Sequence, residues 1–185
     1  AAIVPGTVAS GLGSNIDPVV DYDADDWWYR TSFPAPPGTR FRLRFDGLAT
    51  LAQVWLNGRE ILSSQNMFVA HRIDVNSLLR EQNTLYIAFR SLNAALERRL
   101  PRPRWKTALV EKQNLRWFRT TLLGRIPGWT PAIAPVGPWK TVARECIGKV
   151  ESLGLCIQTH ADTRDGYLRS RAHAARSAGG ALRDS

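Results

Sequence analysis

In Arg40-Phe41-Arg42-Leu43-Arg44-Phe45 apolar residues alternate strictly with arginines. A period of two places the three apolar side chains on one face of an extended strand and the arginines on the other. Similar short-period text runs from Trp27 to Leu92. Leu51-Ala52-Gln53-Val54-Trp55-Leu56 predicts a strand ending at Asn57-Gly58, a dipeptide that tolerates positive φ at both central positions of a type I′ turn. Arg59 to Ser63 should therefore return as the second arm of a hairpin. Phe68 to Val75 and Thr84 to Arg90 predict two more strands, and Asp74 to Leu79 predicts a strand end running into a short helical turn. No strand-helix-strand rhythm occurs, so the pattern predicts an all-β sandwich.

Beyond Leu92 the periodicity weakens. Asn93 to Arg99 has helix-forming residues and is stopped by Pro101 and Pro103, which predicts one short helix. Residues 100 to 138 hold Trp105, Trp117, Trp129 and six prolines, and fit no regular element. They are expected to form long, shaped loops, where binding residues tend to sit on a rigid scaffold. Trp139 to Cys146 predicts a closing strand and Glu151 to Gln158 another. From Arg169 onward the text is rich in Ala, Arg, Ser and Gly and reads as a frayed tail.

Composition changes this picture little: 185 residues with 44% hydrophobic and 22% charged suit one well-buried domain and part of a second. No stretch approaches the roughly 18 consecutive apolar residues that span a bilayer. The N-terminal text has no basic-then-apolar export pattern, and no compartment is assigned. Cys146, Cys156, His71, His160 and His173 lack ligand spacing, so no metal or cofactor is expected. A disulfide between the two cysteines is left open.

Charge matters more. The net charge is +9, and residues 90 to 125 carry ten Lys or Arg against Glu97 and Glu111. Such a segment can meet nucleic acid, an acidic neighbouring domain, or acids within the fold. Base-stacking motifs are not recognisable, which sets nucleic acid aside.

Five stretches in series resemble the sugar-binding domain of glycoside hydrolase family 2. They are Val4-Pro5-Gly6-Thr7-Val8, Trp28-Tyr29-Arg30-Thr31, Phe45-Asp46-Gly47-Leu48, Val54-Trp55-Leu56-Asn57-Gly58, and Asn66-Met67-Phe68 with His71-Arg72-Ile73-Asp74-Val75. Their order and spacing are similar to those of the β-mannosidase branch, over residues 1–147. The resemblance implies a jelly-roll β-sandwich, galactose-binding-domain-like, with one short helix and long loops. It further implies an immunoglobulin-like sandwich next and then a TIM barrel. Val150-Glu151-Ser152-Leu153 through Asp162 to Leu168 resembles the first hairpin of that second sandwich. Residues 148–185 are thus expected to be the start of a truncated immunoglobulin-like sandwich or a disordered tail. β-Mannosidases of the family carry Trp-Asp-Trp-Gly-Pro before the closing strand, with the aspartate reaching the sugar. Here the text is Gly128-Trp129-Thr130-Pro131, so recognition by that aspartate is not expected.

A retaining glycosidase needs two carboxyl groups about 5 Å apart, which the resemblance implies are on barrel strands. The clustered Asp21, Asp23, Asp25 and Asp26 read as a solvated acidic loop. No catalytic residue is expected, and this chain alone is not expected to be an enzyme. The expected function is a non-catalytic carbohydrate-binding or scaffold domain of a glycoside hydrolase. Its partners would be a β-linked mannoside or glucosaminide and the C-terminal domains of the parent enzyme. Apolar sugar faces stack on exposed aromatic rings while polar neighbours bind hydroxyls. The substrate-binding candidates are Trp117 and Trp129, with Trp105 as a further ring, and Asn66, Arg116 and Arg119 as donors. The competing readings are that these tryptophans are packing residues, that the domain is a scaffold without sugar affinity, or, ranked last, that it is a basic nucleic-acid-binding sandwich. Trp27, Trp28, Trp55 and Trp139, in strand-like text, are assigned to the core.

Overall fold

The structure is a computed structural model that describes residues 2–17, 19–35, 40–101, 104–126, 128–147 and 150–176. The chain divides into two compact units, Ala1–Glu145 and Cys146–Ser185. In the first, seven strands run in chain order: β1 (Trp27–Pro34), β2 (Phe41–Phe45), β3 (Ala52–Leu56), β4 (Arg59–Ser64), β5 (His71–Asp74), β6 (Gln82–Phe89) and β7 (Val142–Cys146). They form two sheets, of order β1-β6-β3-β4 and β5-β2-β7.

The alternation read in β2 sets which face enters the sandwich. Phe41, Leu43 and Phe45 are buried while Arg42 and Arg44 are half-buried. Opposite them, Val54 and Leu56 of β3 and Leu85, Ile87 and Phe89 of β6 fill the same core. Each such side chain gains about 1.5–3 kcal/mol from burial. The predicted hairpin is present: β3 pairs with β4 across Asn57 and Gly58, whose φ angles of 52° and 86° are both positive. Asn57 also serves as a clip, since its Nδ2 donates to the Leu78 carbonyl and its Oδ1 accepts from the Thr84 amide.

The expected short helix is α2 (Leu92–Leu96), capped by Ser91, whose Oγ accepts from the Ala94 amide. A second five-residue helix, α1 (Val8–Leu12), was not anticipated. Its capping box joins Thr7 to Ser10, and serine at N3 replaces the Glu or Gln that marks such boxes in sequence. Beneath the loops that follow α2 lies a separate small core of Leu92, Leu96, Val110, Leu115 and Ile126.

Asp26 fastens the start of β1 to the end of β6. Its carboxylate accepts from the Arg90 guanidinium at 2.6 Å and from the Ser91 amide at 2.8 Å. These contacts, the Arg90 bond foremost, hold its pKa below the ordinary 3.8. A depressed carboxylate contributes stability that is complete above pH 3.8 and is lost as pH falls through the lower folded value. Asp26→Asn should therefore lose part of the acid-induced fall in stability, seen by comparing urea midpoints of variant and wild type down to pH 2–3 (roughly the acid range). Parallel curves for the two proteins would contradict this.

The second unit holds one antiparallel hairpin, β8 (Val150–Ala161) and β9 (Gly166–Arg176). Here the sequence expectation needs correcting. Arg169 to Arg176 is strand, not tail, because Arg169 pairs with Gln158 and Arg171 with Cys156 along the β8 backbone. Cross-strand hydrogen bonding does not require β-favouring side chains, so an Ala- and Arg-rich composition concealed it. Gly179 and Gly180 lie outside the described residues. The disulfide left open is not made: Cys146 and Cys156 are free and exposed.

Candidate functional site

The segment after α2 has little regular structure, and side chains hold its backbone in shape. Asn114 Nδ2 donates to the carbonyls of Leu96 and Arg98. Gln113 Nε2 donates to those of Thr107 and Val110. Further on, Arg125 Nε and Nη2 donate to the two carboxylate oxygens of Asp23 at 2.6 and 2.7 Å, and Nη1 donates to the Thr121 carbonyl at 2.9 Å. Both side chains of this ion pair are only 7% exposed. The pair is bidentate, the geometry in which Arg and carboxylate interact most strongly.

This corrects the reading of the four aspartates as a solvated acidic loop at Asp23, which is buried, while Asp21, Asp25 and Asp26 are exposed. Asp23 is buried against Arg125, Asp21 accepts from Asn93 Nδ2, and Asp26 holds Arg90. The partners lie far away in sequence, which is why spacing alone left them unassigned. Part of the basic surplus is thus matched inside the fold.

The candidate rings are all on the surface. Trp129 is 71% exposed, Trp105 61% and Trp117 48%, so none is a core residue of this unit. Trp117 ends a 3-10 turn over Gln113–Trp117. Trp129 stands on a turn closed by a hydrogen bond from the Gly124 amide to Thr130 Oγ1. Gly124 is at φ 75°, and a Cβ there would collide with the Ile133 carbonyl, so only glycine lets the two arms approach.

Of the polar candidates, Arg116 is already engaged. Its Nε donates to the Gln113 carbonyl, Nη2 to Gln113 Oε1 and Nη1 to the Trp105 carbonyl, and its guanidinium lies 4.2 Å from the Trp105 ring centre. Arg116 therefore shapes the loop and seats Trp105. Asn66 and Arg119 are neighbours in an isolated parallel bridge. Asn66 Oδ1 accepts from the Phe68 amide, while the exposed Arg119 side chain has no partner among the described residues. The structure thus groups Trp105 with Arg116, and Asn66 with Arg119. No ring contact or hydrogen bond joins Trp129 to Trp117 among the described residues.

Of the four tryptophans assigned to the core, Trp27 packs on it, whereas Trp28, Trp55 and the half-buried Trp139 do not. Trp27 and Tyr29 of β1 pack on the core, so period two turns Trp28 outward, where it is 55% exposed. It stacks on Trp55 of β3 with ring centres 5.6 Å apart, and Arg90 lies 5.1 Å from its ring centre.

Two concavities border these elements. A cleft of about 400 Å³ is walled by Gly128, Thr130 and Ala132 of the Trp129 turn, with Asp23, Arg125 and Asn93 among its polar lining. Asp21, Glu111 and Lys112 line it as well, so its walls are nearly as polar as apolar. A wider cleft of about 850 Å³ runs along β1 and is lined mainly by apolar residues such as Val4, Val8, Leu12 and Trp27. Among the described residues no group of His, Cys, Asp and Glu is placed to hold a metal.

Residues 9–140 match the family described as glycosyl hydrolase 2 galactose-binding domain-like. The chain belongs to this family. Among relatives of the family 2 domain, beta-mannosidase B of Thermothelomyces thermophilus is 38% identical over 133 residues, 64% of this chain and 15% of that protein. Beta-mannosidase B of Aspergillus fumigatus is 31% identical over 169 residues, 77% of this chain and 19% of that protein. The chain therefore spans under a fifth of the length of either. Among solved structures, the β-D-mannosidase from Dictyoglomus thermophilum has a TM-score of 0.72 at 24% identity, over 95% of this chain and 24% of that one. The β-glucuronidase from Ruminococcus gnavus has a TM-score of 0.58 at 18% identity, over 94% and 28%. These likenesses show that the family 2 domain has the all-β, galactose-binding-like fold expected from its strand pattern.

Proposed function

We propose that the family 2 domain is a non-catalytic, carbohydrate-contacting part of a glycoside hydrolase acting on β-mannosides or related β-glycosides. Its contacting edge is the loop surface of Trp117 and Trp129, with Asn66 and Arg119 as hydrogen-bonding groups. The observation that carries this is the pair of exposed indoles on loops that are otherwise tightly anchored, Trp129 on a turn next to the buried Asp23–Arg125 pair. Rings held out of the core on a rigid support suit stacking against sugar faces at low entropic cost. The beta-mannosidase names of the relatives supply the substrate class. The carboxyls with shifted pKa values, Asp26, Asp74 and Asp162, are all lowered by hydrogen bonds, the reverse of what a general acid requires. In the same reading β8 and β9 open an immunoglobulin-like sandwich, since a lone two-stranded ribbon exposing Leu155, Ile157 and Leu168 cannot bury its apolar face.

Calorimetric titration of the chain with β-mannobiose tests the proposal. Wild type should bind, and Trp129→Ala should abolish the heat of binding while changing stability by no more than about 0.5 kcal/mol, as usual for a surface position. The same preparation should leave aryl β-mannosides unhydrolysed. Absence of binding by the wild type would leave a scaffold without sugar affinity. Turnover that survives removal of host glycosidases would overturn the non-catalytic assignment.

A further inference from the structure

The charge of the 98–117 segment is not explained by pairing within the fold. Arg98, Arg99, Arg104 and Lys106 are exposed, and their side chains form no ion pair or hydrogen bond among the described residues. Ion pairs elsewhere in the fold engage Arg44, Arg72, Arg90 and Arg125. Glu97 and Glu111 are exposed as well and make no ion pair among the described residues. Unlike charges on a loose tail, these cations sit on a built surface. Asn114 ties residues 96 and 98 to the 3-10 turn, Gln113 ties residues 107 and 110 to it, and Arg116 ties residue 105. Val110 and Leu115 root the assembly in the small core beneath α2. Among the cations stands Trp105, with Arg116 against its ring and 61% of its surface exposed.

Like charges held together on an ordered surface repel one another, and an anionic partner relieves that repulsion. The exposed ring narrows the chemistry of the partner. A pyranose offers an apolar C–H face to an indole, and a uronic acid adds a carboxylate suited to Arg and Lys. Single-stranded nucleic acid prefers successive rings along a groove, whereas Trp105 has no ring contact with Trp117 and is accompanied instead by a guanidinium. We propose that the Trp105 surface, with Arg104 and Lys106 flanking it in the chain and Arg116 against its ring, binds an acidic glycan, an oligosaccharide bearing uronic acid carboxylates. This rests on the carbohydrate-contacting reading and extends it from neutral to charged sugars at a second place on the domain.

The test is titration of the full 185-residue chain with tetragalacturonate, neutral mannotetraose and an oligothymidylate of matched charge, at low and high salt. Tetragalacturonate should bind about tenfold or more tighter than mannotetraose at low salt, and added salt should erase the difference, as it does for exposed charges. The double substitution Arg104→Gln with Lys106→Gln, or Trp105→Ala, should remove the preference while leaving mannotetraose binding and the melting temperature unchanged. Equal affinity for acidic and neutral sugars would overturn this proposal and leave the neutral-sugar edge standing. Oligothymidylate binding as tight as tetragalacturonate, and weakened by the same substitutions, would overturn it in favour of a nucleic-acid surface. Failure of both sugars to bind would overturn this proposal and the carbohydrate reading together.

Discussion

Asp23→Ala should destabilise the first unit by about 3–5 kcal/mol, because removing one partner of a buried ion pair leaves the other charge uncompensated. Arg125 is 7% exposed, and the substitution would remove the acceptors of its Nε and Nη2 while the charge stays largely buried. Against a typical total stability of about 5–15 kcal/mol, that is a large share. Tryptophan fluorescence in a urea titration is a suitable readout, because all seven tryptophans lie in residues 1–145. The conjugate experiment separates burial from packing: replacing both partners, Asp23→Leu with Arg125→Met, should restore much of the loss, as apolar replacements of buried pairs often do. A loss below about 1 kcal/mol for Asp23→Ala, the range of exposed pairs, would mean that the pair is not an anchor.

Phe45→Ala should cost a comparable amount, about 3–5 kcal/mol, for a different reason. The Phe45 side chain is 0% exposed in β2 and reaches the core shared with β3 and β6. Its removal loses transfer free energy and leaves a cavity that two hydrogen-bonded sheets cannot close. The effect belongs to the whole sandwich, so chemical denaturation followed by fluorescence and by far-UV circular dichroism should report one common midpoint shift. A loss under about 1.5 kcal/mol, as for a volume-conserving swap, would mean that the alternation in β2 does not define the buried face.

How much of this was legible in the sequence depends on the range of the interaction. Phe41, Leu43 and Phe45 announced their strand because period two is a local property of the chain, and Asn57-Gly58 announced its turn because positive φ is a property of those residues. The family motifs carried the fold class further, from isolated strands to a sandwich. Trp28 was misread because its neighbour Trp27 competes for the same inward position, and nothing local says which of two adjacent tryptophans takes it. β9 was missed because its stability comes from pairing with β8 rather than from its own side chains. The candidate site divides in the same way. Trp105, Trp117 and Trp129 stood out as rings in text without periodicity, and all three are at the surface. The Asp23–Arg125 anchor joins residues 102 positions apart, and the commitment of Arg116 to Gln113 and Trp105 depends on a loop whose path no motif records.

The most direct test of the sugar-contacting edge uses the indole N–H signals, since the seven tryptophans sample both the core and the proposed surface. In a heteronuclear NMR titration with β-mannobiose, the indole resonances of Trp117 and Trp129 should shift progressively. That of Trp27, bonded to the Tyr22 carbonyl and packed on the core, should stay in place. A shift confined to Trp27, or no shift in any of the seven at saturating sugar, would contradict the proposed edge.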